Sequence, residues 1–237
     1  MIATIGRGFA AVWLAVLLAV LHVSVAGATT VRIDELVLDV PMPGGHCMMN
    51  RNKAEDNGMI QSFEQANEGI NDVLMVFAKC DQLDDWRTTT RPYLDDLGQV
   101  ITPSSLRGMT ITHPRDVYIK AVADNLKAND PAVQYADDIE KRIDKAFEGT
   151  RLDQMTSLGL IEYDKNGAYG GIIERIIADD GVTERTVATV YGITLVRGKV
   201  LGLHLVSIYD GPETVTDLVA QVKRSVQAMI DANERDS

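Results

Sequence analysis

The stretch that decides the fold is SLGLIEYDKNGAYGGIIERIIADDGVTERTVATVYGITLVRGKVLGLHLVSIY, residues 157–209. Four apolar segments are separated there by turns, and each turn carries a glycine: Gly167, Gly181 and Gly198. Short glycine-bearing turns between strand-like segments are typical of β-hairpins. We therefore expect an antiparallel meander with strands over residues 157–163, 168–178, 184–196 and 199–209.

The last two of these strands carry little charge on either face. The strands of an antiparallel sheet with one solvent-exposed face alternate apolar with charged residues. These strands lack that alternation, so both faces of the sheet should be covered. Residues 210–213 (DGPE) start a helix, which carries one apolar stripe and should cover one face. The stripe consists of Val215, Leu218, Val219, Val222, Val226, Met229 and Ile230.

Upstream of the meander, strand and helix patterns alternate. The first strand stops at a proline- and glycine-rich loop, residues 41–45, because proline cannot donate to a β-ladder. Asp130 followed by Pro131 is typical of a helix start. The fold class is therefore α+β: an antiparallel sheet with a C-terminal four-stranded meander, sandwiched between helices on both faces. The predicted upstream elements are strands over 31–40, 73–78 and 97–102, and helices over 57–68, from about 114, and from 130 to about 147.

The first 28 residues are typical of a cleavable signal peptide. Arg7 precedes thirteen residues without a polar group (FAAVWLAVLLAVL, 9–21), and Ala-Gly-Ala at 26–28 fits the small-residue cleavage pattern. The alternative is an uncleaved membrane anchor, but His22, Ser24 and Gly27 interrupt the apolar segment before it reaches spanning length. We expect cleavage before Thr29, which leaves a single α+β domain over 29–237 without a stable membrane span, in the periplasm or secreted.

Two cysteines, Cys47 and Cys80, lie in the part that would be exported. In an oxidising compartment an even pair of cysteines most simply forms a disulfide. The chain also carries a formal net charge of −11, which becomes −12 when Arg7 leaves with the signal peptide. An acidic protein of this kind is a poor match for nucleic acid, whose binding depends on neutralising phosphate charge.

The most suggestive cluster of chemical groups is His46, Cys47, Met48 and Met49. Imidazole, thiolate and thioether are soft ligands that suit copper, so a metal-handling protein is one alternative. Against it, the spacing matches no recognised metal motif, and methionine fills core gaps equally well. Residues 164–167 (DKNG) lack the glycine and glutamate that a calcium loop needs, and no glycine-rich phosphate loop opens a helix. His204 shares a strand face with apolar residues and is expected to be packed.

The order of elements resembles the PsbP-like fold, an antiparallel sheet between helices. The features that carry the resemblance are the proline-rich loop 41–45 after the first strand, the long meander, the turn Gly198-Lys199 and the C-terminal amphipathic helix. The likeness covers most of residues 31–232 in layout and departs from that fold in the helices at 114–148. It implies a non-catalytic binding or assembly protein.

The sequence therefore favours an exported, non-enzymatic binding or assembly accessory, with an unknown protein or small molecule as its partner and no cofactor. The metal-handling protein is one alternative. A hydrolase whose site assembles from distant residues is the other, and a concave pocket holding a titratable cluster would favour it.

Overall fold

In the computed structural model, residues 28–178 and 180–234 are described. The predicted signal peptide lies outside this part, apart from Ala28, which begins the first strand. Two sheets are present in the described chain: a two-stranded one, β1–β2, and a seven-stranded one in the order β3-β4-β5-β9-β8-β7-β6. The strands are β1 (Ala28–Ile33), β2 (Leu36–Pro41), β3 (His46–Met48), β4 (Asn71–Lys79), β5 (Leu97–Pro103), β6 (Thr150–Tyr163), β7 (Ala168–Ala178), β8 (Glu184–Val196) and β9 (Lys199–Ile208).

Within the described residues, six α-helices surround the large sheet, and the predicted α+β class is confirmed. The helix at Asp130 begins as expected, because the Asp130 carboxylate accepts a hydrogen bond from the backbone N–H of Ala132 at 3.0 Å. The helices are α1 (Ala54–Ala66), α2 (Cys80–Arg87), α3 (Arg115–Ala128), α4 (Pro131–Gln134), α5 (Ala136–Ala146) and α6 (Pro212–Glu234).

The meander has the predicted turns. The Asp164 side chain accepts hydrogen bonds from the backbone N–H groups of Asn166 and Gly167, at 2.8 and 3.0 Å, and so fixes the β6–β7 turn. Arg197 and Gly198 both have positive φ, 47° and 78°, as a two-residue hairpin turn requires. Because β9 also pairs with β5, the meander is continuous with β3, β4 and β5 in one antiparallel sheet.

Two upstream predictions were wrong in detail. The predicted strand over 31–40 is a hairpin, β1–β2, that turns at Asp34, whose φ is 52°. The predicted helix from Asp130 breaks at Tyr135 into α4 and α5. The short helix α2 and the edge strand β3 were missed, since each offers too few residues to show a period.

One face of the sheet is packed solidly. Helix α6 and the β1–β2 hairpin lie against it, and together they bury apolar side chains of β4, β5, β8 and β9. On β9 these are Leu201, Leu203 and Leu205, each at most 1% exposed. The prediction that α6 covers one sheet face is therefore confirmed.

Candidate functional site

The other face of the sheet is covered but not filled. Helix α1 packs on β4 at one side, and α3 packs against β6, β7 and β8 at the other. Helix α5 contacts α1 and β6, so it crosses above the middle strands of the sheet. We call α5 the roof and the strands beneath it the floor. Between this roof and the sheet lies a cavity of about 1560 Å³. The prediction of helices on this face is confirmed, and these helices leave a space above the strands.

The walls of the cavity are mainly apolar. The floor is formed by the alternate residues of β7, β8 and β9 that point away from α6, and the roof by one side of α5 with neighbouring residues. Ile139 and Ile143 of α5 face the cavity and stay partly exposed, because little protein packs beneath them. Apolar floor residues are Ile172, Ile176, Val187, Ile193, Val200 and Val206; apolar residues of the side walls include Met59, Phe63, Ala66, Leu126 and Phe147.

Three polar side chains cross the floor in a single line, which we call the polar row: Gln99, His204 and Tyr191. Gln99 of β5 is the register partner of His204 on β9, and His204 is the register partner of Tyr191 on β8. Directly opposite partners in an antiparallel sheet project to the same side. The rings of His204 and Tyr191 accordingly lie 5.8 Å apart between centroids.

His204 is enclosed by protein, yet its ring keeps some accessible surface, because that surface faces the cavity. The ring makes no hydrogen bond within the described chain. In that part of the chain, every side-chain nitrogen or oxygen that is fully buried has a hydrogen-bond partner, so the unpartnered ring nitrogens are not fully buried. The ring nitrogens are therefore open to the cavity. Burial without a compensating charge lowers the pKa of His204 to about 4, so the imidazole is neutral at pH 7.

The two neighbours of His204 also have unused hydrogen-bonding capacity. The Gln99 side-chain oxygen accepts a hydrogen bond from Asn67 at 3.1 Å, which leaves its NH₂ group without a partner among the described residues. Burial raises the pKa of Tyr191 to about 12, so its hydroxyl is neutral as well. A Cβ at Gly170, opposite Tyr191, would overlap this hydroxyl, so glycine at that position makes room for the phenol ring.

One carboxyl group lies on the same floor. Glu174 of β7 is 7% exposed and accepts a hydrogen bond from the Thr189 hydroxyl at 2.8 Å. Burial raises the pKa of Glu174, and the hydrogen bond from Thr189 opposes that rise only in part. The cavity floor therefore combines a neutral imidazole and a phenol with a carboxyl group that burial drives towards its protonated form.

The residues singled out from the sequence lie elsewhere. Cys47 and Cys80 form the predicted disulfide, so the Cys47 sulfur is not a free thiolate. His46 and Met49 are buried, whereas Cys47 and Met48 are exposed, so the four side chains do not converge. No group of three or more His, Cys, Asp or Glu side chains suited to a metal ion occurs within residues 28–178 and 180–234.

Sequence reasoning missed the polar row. His204 was expected to be packed, and it lines a cavity instead. The usable signal was the coincidence of His204 and Tyr191 at facing positions of the β8–β9 hairpin, which the Arg197-Gly198 turn fixes in register. The contribution of Gln99 could not be found in this way, because its pairing with His204 joins β5 to a strand about 100 residues later.

No protein-family model matches this chain, and no curated protein matches it either. The PsbP-like resemblance stays a hypothesis based on the order of elements. None of the helices in the described part of the chain is long and apolar enough to cross a membrane.

We predict that His204 makes the protein less stable in acid. Its pKa is about 4 in the folded protein against 6.5 for a free imidazole, so between these values the unfolded chain binds the extra proton and stability falls as pH falls. The loss should reach about 2 to 3 kcal/mol between pH 7 and pH 4. Urea unfolding of the wild type and of His204→Leu measures it, since the variant should lose that much less over the same range.

Glu174 does not affect the comparison between the wild type and His204→Leu. Its raised pKa acts with the opposite sign, because stability falls as pH rises above the value of the unfolded carboxyl. The effect is common to both proteins and cancels in the difference between them. Equal acid sensitivity of wild type and His204→Leu would show that the ring is in contact with bulk water.

Proposed function

We propose that this protein is an exported, non-enzymatic binding protein that holds an elongated apolar small molecule between its sheet and helix α5. The observation that carries the proposal is the cavity of about 1560 Å³. Ligand cavities are concave and mostly apolar and carry a few placed polar groups. A well-packed core has few voids larger than a water molecule, so a space of this size is not a packing defect.

Export is part of the proposal. The Cys47–Cys80 disulfide supports it, since structural disulfides persist mainly in oxidising compartments. A carrier or binding protein for an apolar molecule suits such a compartment, because the ligand would otherwise have to cross water unprotected.

A hydrolase remains the alternative function, because the cavity contains titratable groups. A hydrolase of the nucleophilic type needs a hydroxyl or thiol within hydrogen-bond reach of a base. In the described chain His204 makes no such hydrogen bond. The Thr189 hydroxyl donates to Glu174 at 2.8 Å, but burial raises the pKa of Glu174 and so drives this carboxyl towards its protonated form, which is not a base. The free cysteine thiol that such an enzyme could use is also missing from this part of the chain. These contacts favour binding over hydrolysis.

Filling the cavity should prevent binding. We expect the neutral apolar dye N-phenyl-1-naphthylamine to fluoresce more strongly with the wild type. The double variant Ala66→Trp/Val206→Trp places indoles on the α1 wall and on the floor, and should weaken dye binding at least tenfold. The matched control is Val117→Trp/Val182→Trp, at positions that are 54% and 82% exposed, and it should bind like the wild type.

Circular dichroism and urea unfolding establish that both double variants fold. A wild type that leaves the dye unchanged would refute the proposal. Equal binding by the wild type and the folded Ala66→Trp/Val206→Trp variant would show that the dye binds outside the cavity, and would refute it too.

A further inference from the structure

The polar row presents hydrogen-bonding atoms to an otherwise apolar floor. The ring nitrogens of His204 and the NH₂ group of Gln99 have no partner in the described protein, and the Tyr191 hydroxyl on the same wall has none either. A polar group that loses water without gaining a new hydrogen bond costs about 1 to 3 kcal/mol. A ligand that displaces water from this floor must therefore bring its own oxygen or nitrogen to the row.

Among the described residues, no unpaired cation lies deep in the cavity to bind an acidic ligand. The basic side chains among its described lining residues are Arg142, Lys145 and Arg185. Arg142 bonds Asp138 at 2.6 Å, Arg185 pairs with Asp95, and the exposed Lys145 lies 3.8 Å from Glu68. A carboxylate beside neutral His204 would be a buried charge without a partner, which is strongly unfavourable.

A basic ligand is disfavoured for the complementary reason. Glu174 is the buried acid on the floor, and burial opposes its ionisation. To pair with an ammonium group, Glu174 would have to ionise, and both charges would then have to be desolvated together, which a good pair repays only in part. A neutral imidazole and a neutral phenol add no further negative charge.

We infer that the ligand is an elongated apolar molecule that ends in an uncharged oxygen group, a hydroxyl or a carbonyl, held at the polar row by His204 and Gln99. This inference rests on the proposed function and specifies its ligand class. A neutral imidazole offers one N–H donor and one acceptor, so it serves a carbonyl or a hydroxyl equally. The Gln99 NH₂ group donates to the same oxygen from the neighbouring strand.

Five probes with the same twelve-carbon chain test the inference: 1-dodecanol, 2-dodecanone, dodecanoic acid, dodecylamine and dodecane. Each competes with N-phenyl-1-naphthylamine for binding to the exported chain, residues 29–237, at pH 7.5. We expect the alcohol and the ketone to displace the dye at concentrations at least tenfold lower than the acid, the amine or the alkane. In His204→Leu, which keeps a similar side-chain volume, the preference for the alcohol and the ketone over dodecane should fall at least fivefold, with each competition referred to the variant's own affinity for the dye.

The outcomes separate the two proposals. If the dye does not bind the wild type, the proposed function fails. If the dye binds but the acid or the amine competes best, the ligand class is wrong while the binding function stands. Equal competition by all five probes, or a preference for alcohol and ketone that survives in His204→Leu, would show that the polar row does not hold the ligand's head group.

Discussion

A chain that ends at Tyr209, before α6, is expected not to fold. Six large apolar side chains of α6 are buried against β8, β9 and the β1–β2 hairpin: Leu218, Val219, Val222, Val226, Met229 and Ile230. At about 1.5 to 3 kcal/mol for each buried side chain, the helix contributes on the order of 10 kcal/mol before entropy is counted. That equals the whole stability of an ordinary domain, about 5 to 15 kcal/mol. Circular dichroism and urea unfolding of the 29–209 fragment measure the effect.

A point variant tests the same contact without removing chain. Val222 is 0% exposed, so Val222→Asp loses its apolar burial and also places a carboxylate in the core, a combined cost of at least about 4 kcal/mol. The matched control is Thr216→Asp, which adds the same charge at an exposed position of the same helix and should change stability by less than about 0.5 kcal/mol. A soluble 29–209 fragment that unfolds cooperatively would contradict the sandwich arrangement.

The meander and α6 could be predicted because their signals are local. Each hairpin joins adjacent segments through a turn whose glycine is visible in the sequence, and the stripe of α6 repeats with one period. The β1–β2 hairpin was mistaken for one strand because its turn, at Asp34-Glu35, contains no glycine. Aspartate is one of the few residues that tolerates positive φ, and Asp34 supplies it with φ of 52°.

The cavity could not be predicted by the same reasoning. Alternation along β9 shows that Val200 and Val206 face away from α6, but an apolar side chain has the same pattern whether it lines a cavity or packs against a helix. What decides between them is the height of α5 above the sheet, which depends on its contacts with α1 and β6. The contact with α1 joins segments about 80 residues apart, and neither contact leaves a periodic signal in the sequence.

The disulfide could be predicted from the presence of two cysteines in the exported part of the chain, and it has a large effect on the free energy of unfolding. Cys47 lies on the edge strand β3 and Cys80 begins α2, and the bond closes a loop with a sequence separation of 33. Cys47 is exposed and Cys80 only partly buried, so replacing both with serine removes little packing. The main loss is the constraint on the unfolded chain, which for a loop of this length is about 3 to 4 kcal/mol in the chain-entropy model.

We therefore expect Cys47→Ser/Cys80→Ser to unfold at lower urea concentration, with a loss of about 3 kcal/mol, and reduction of the wild type to have the same effect. Met48→Ser, at a neighbouring position that is 45% exposed, is the control and should change stability by less than about 0.5 kcal/mol. Labelling of the denatured, unreduced wild type should find no free thiol. Two labelled thiols would contradict the disulfide. They would also restore the hypothesis of a copper site at His46, Cys47, Met48 and Met49, because copper binds a cysteine thiolate and a disulfide contains none.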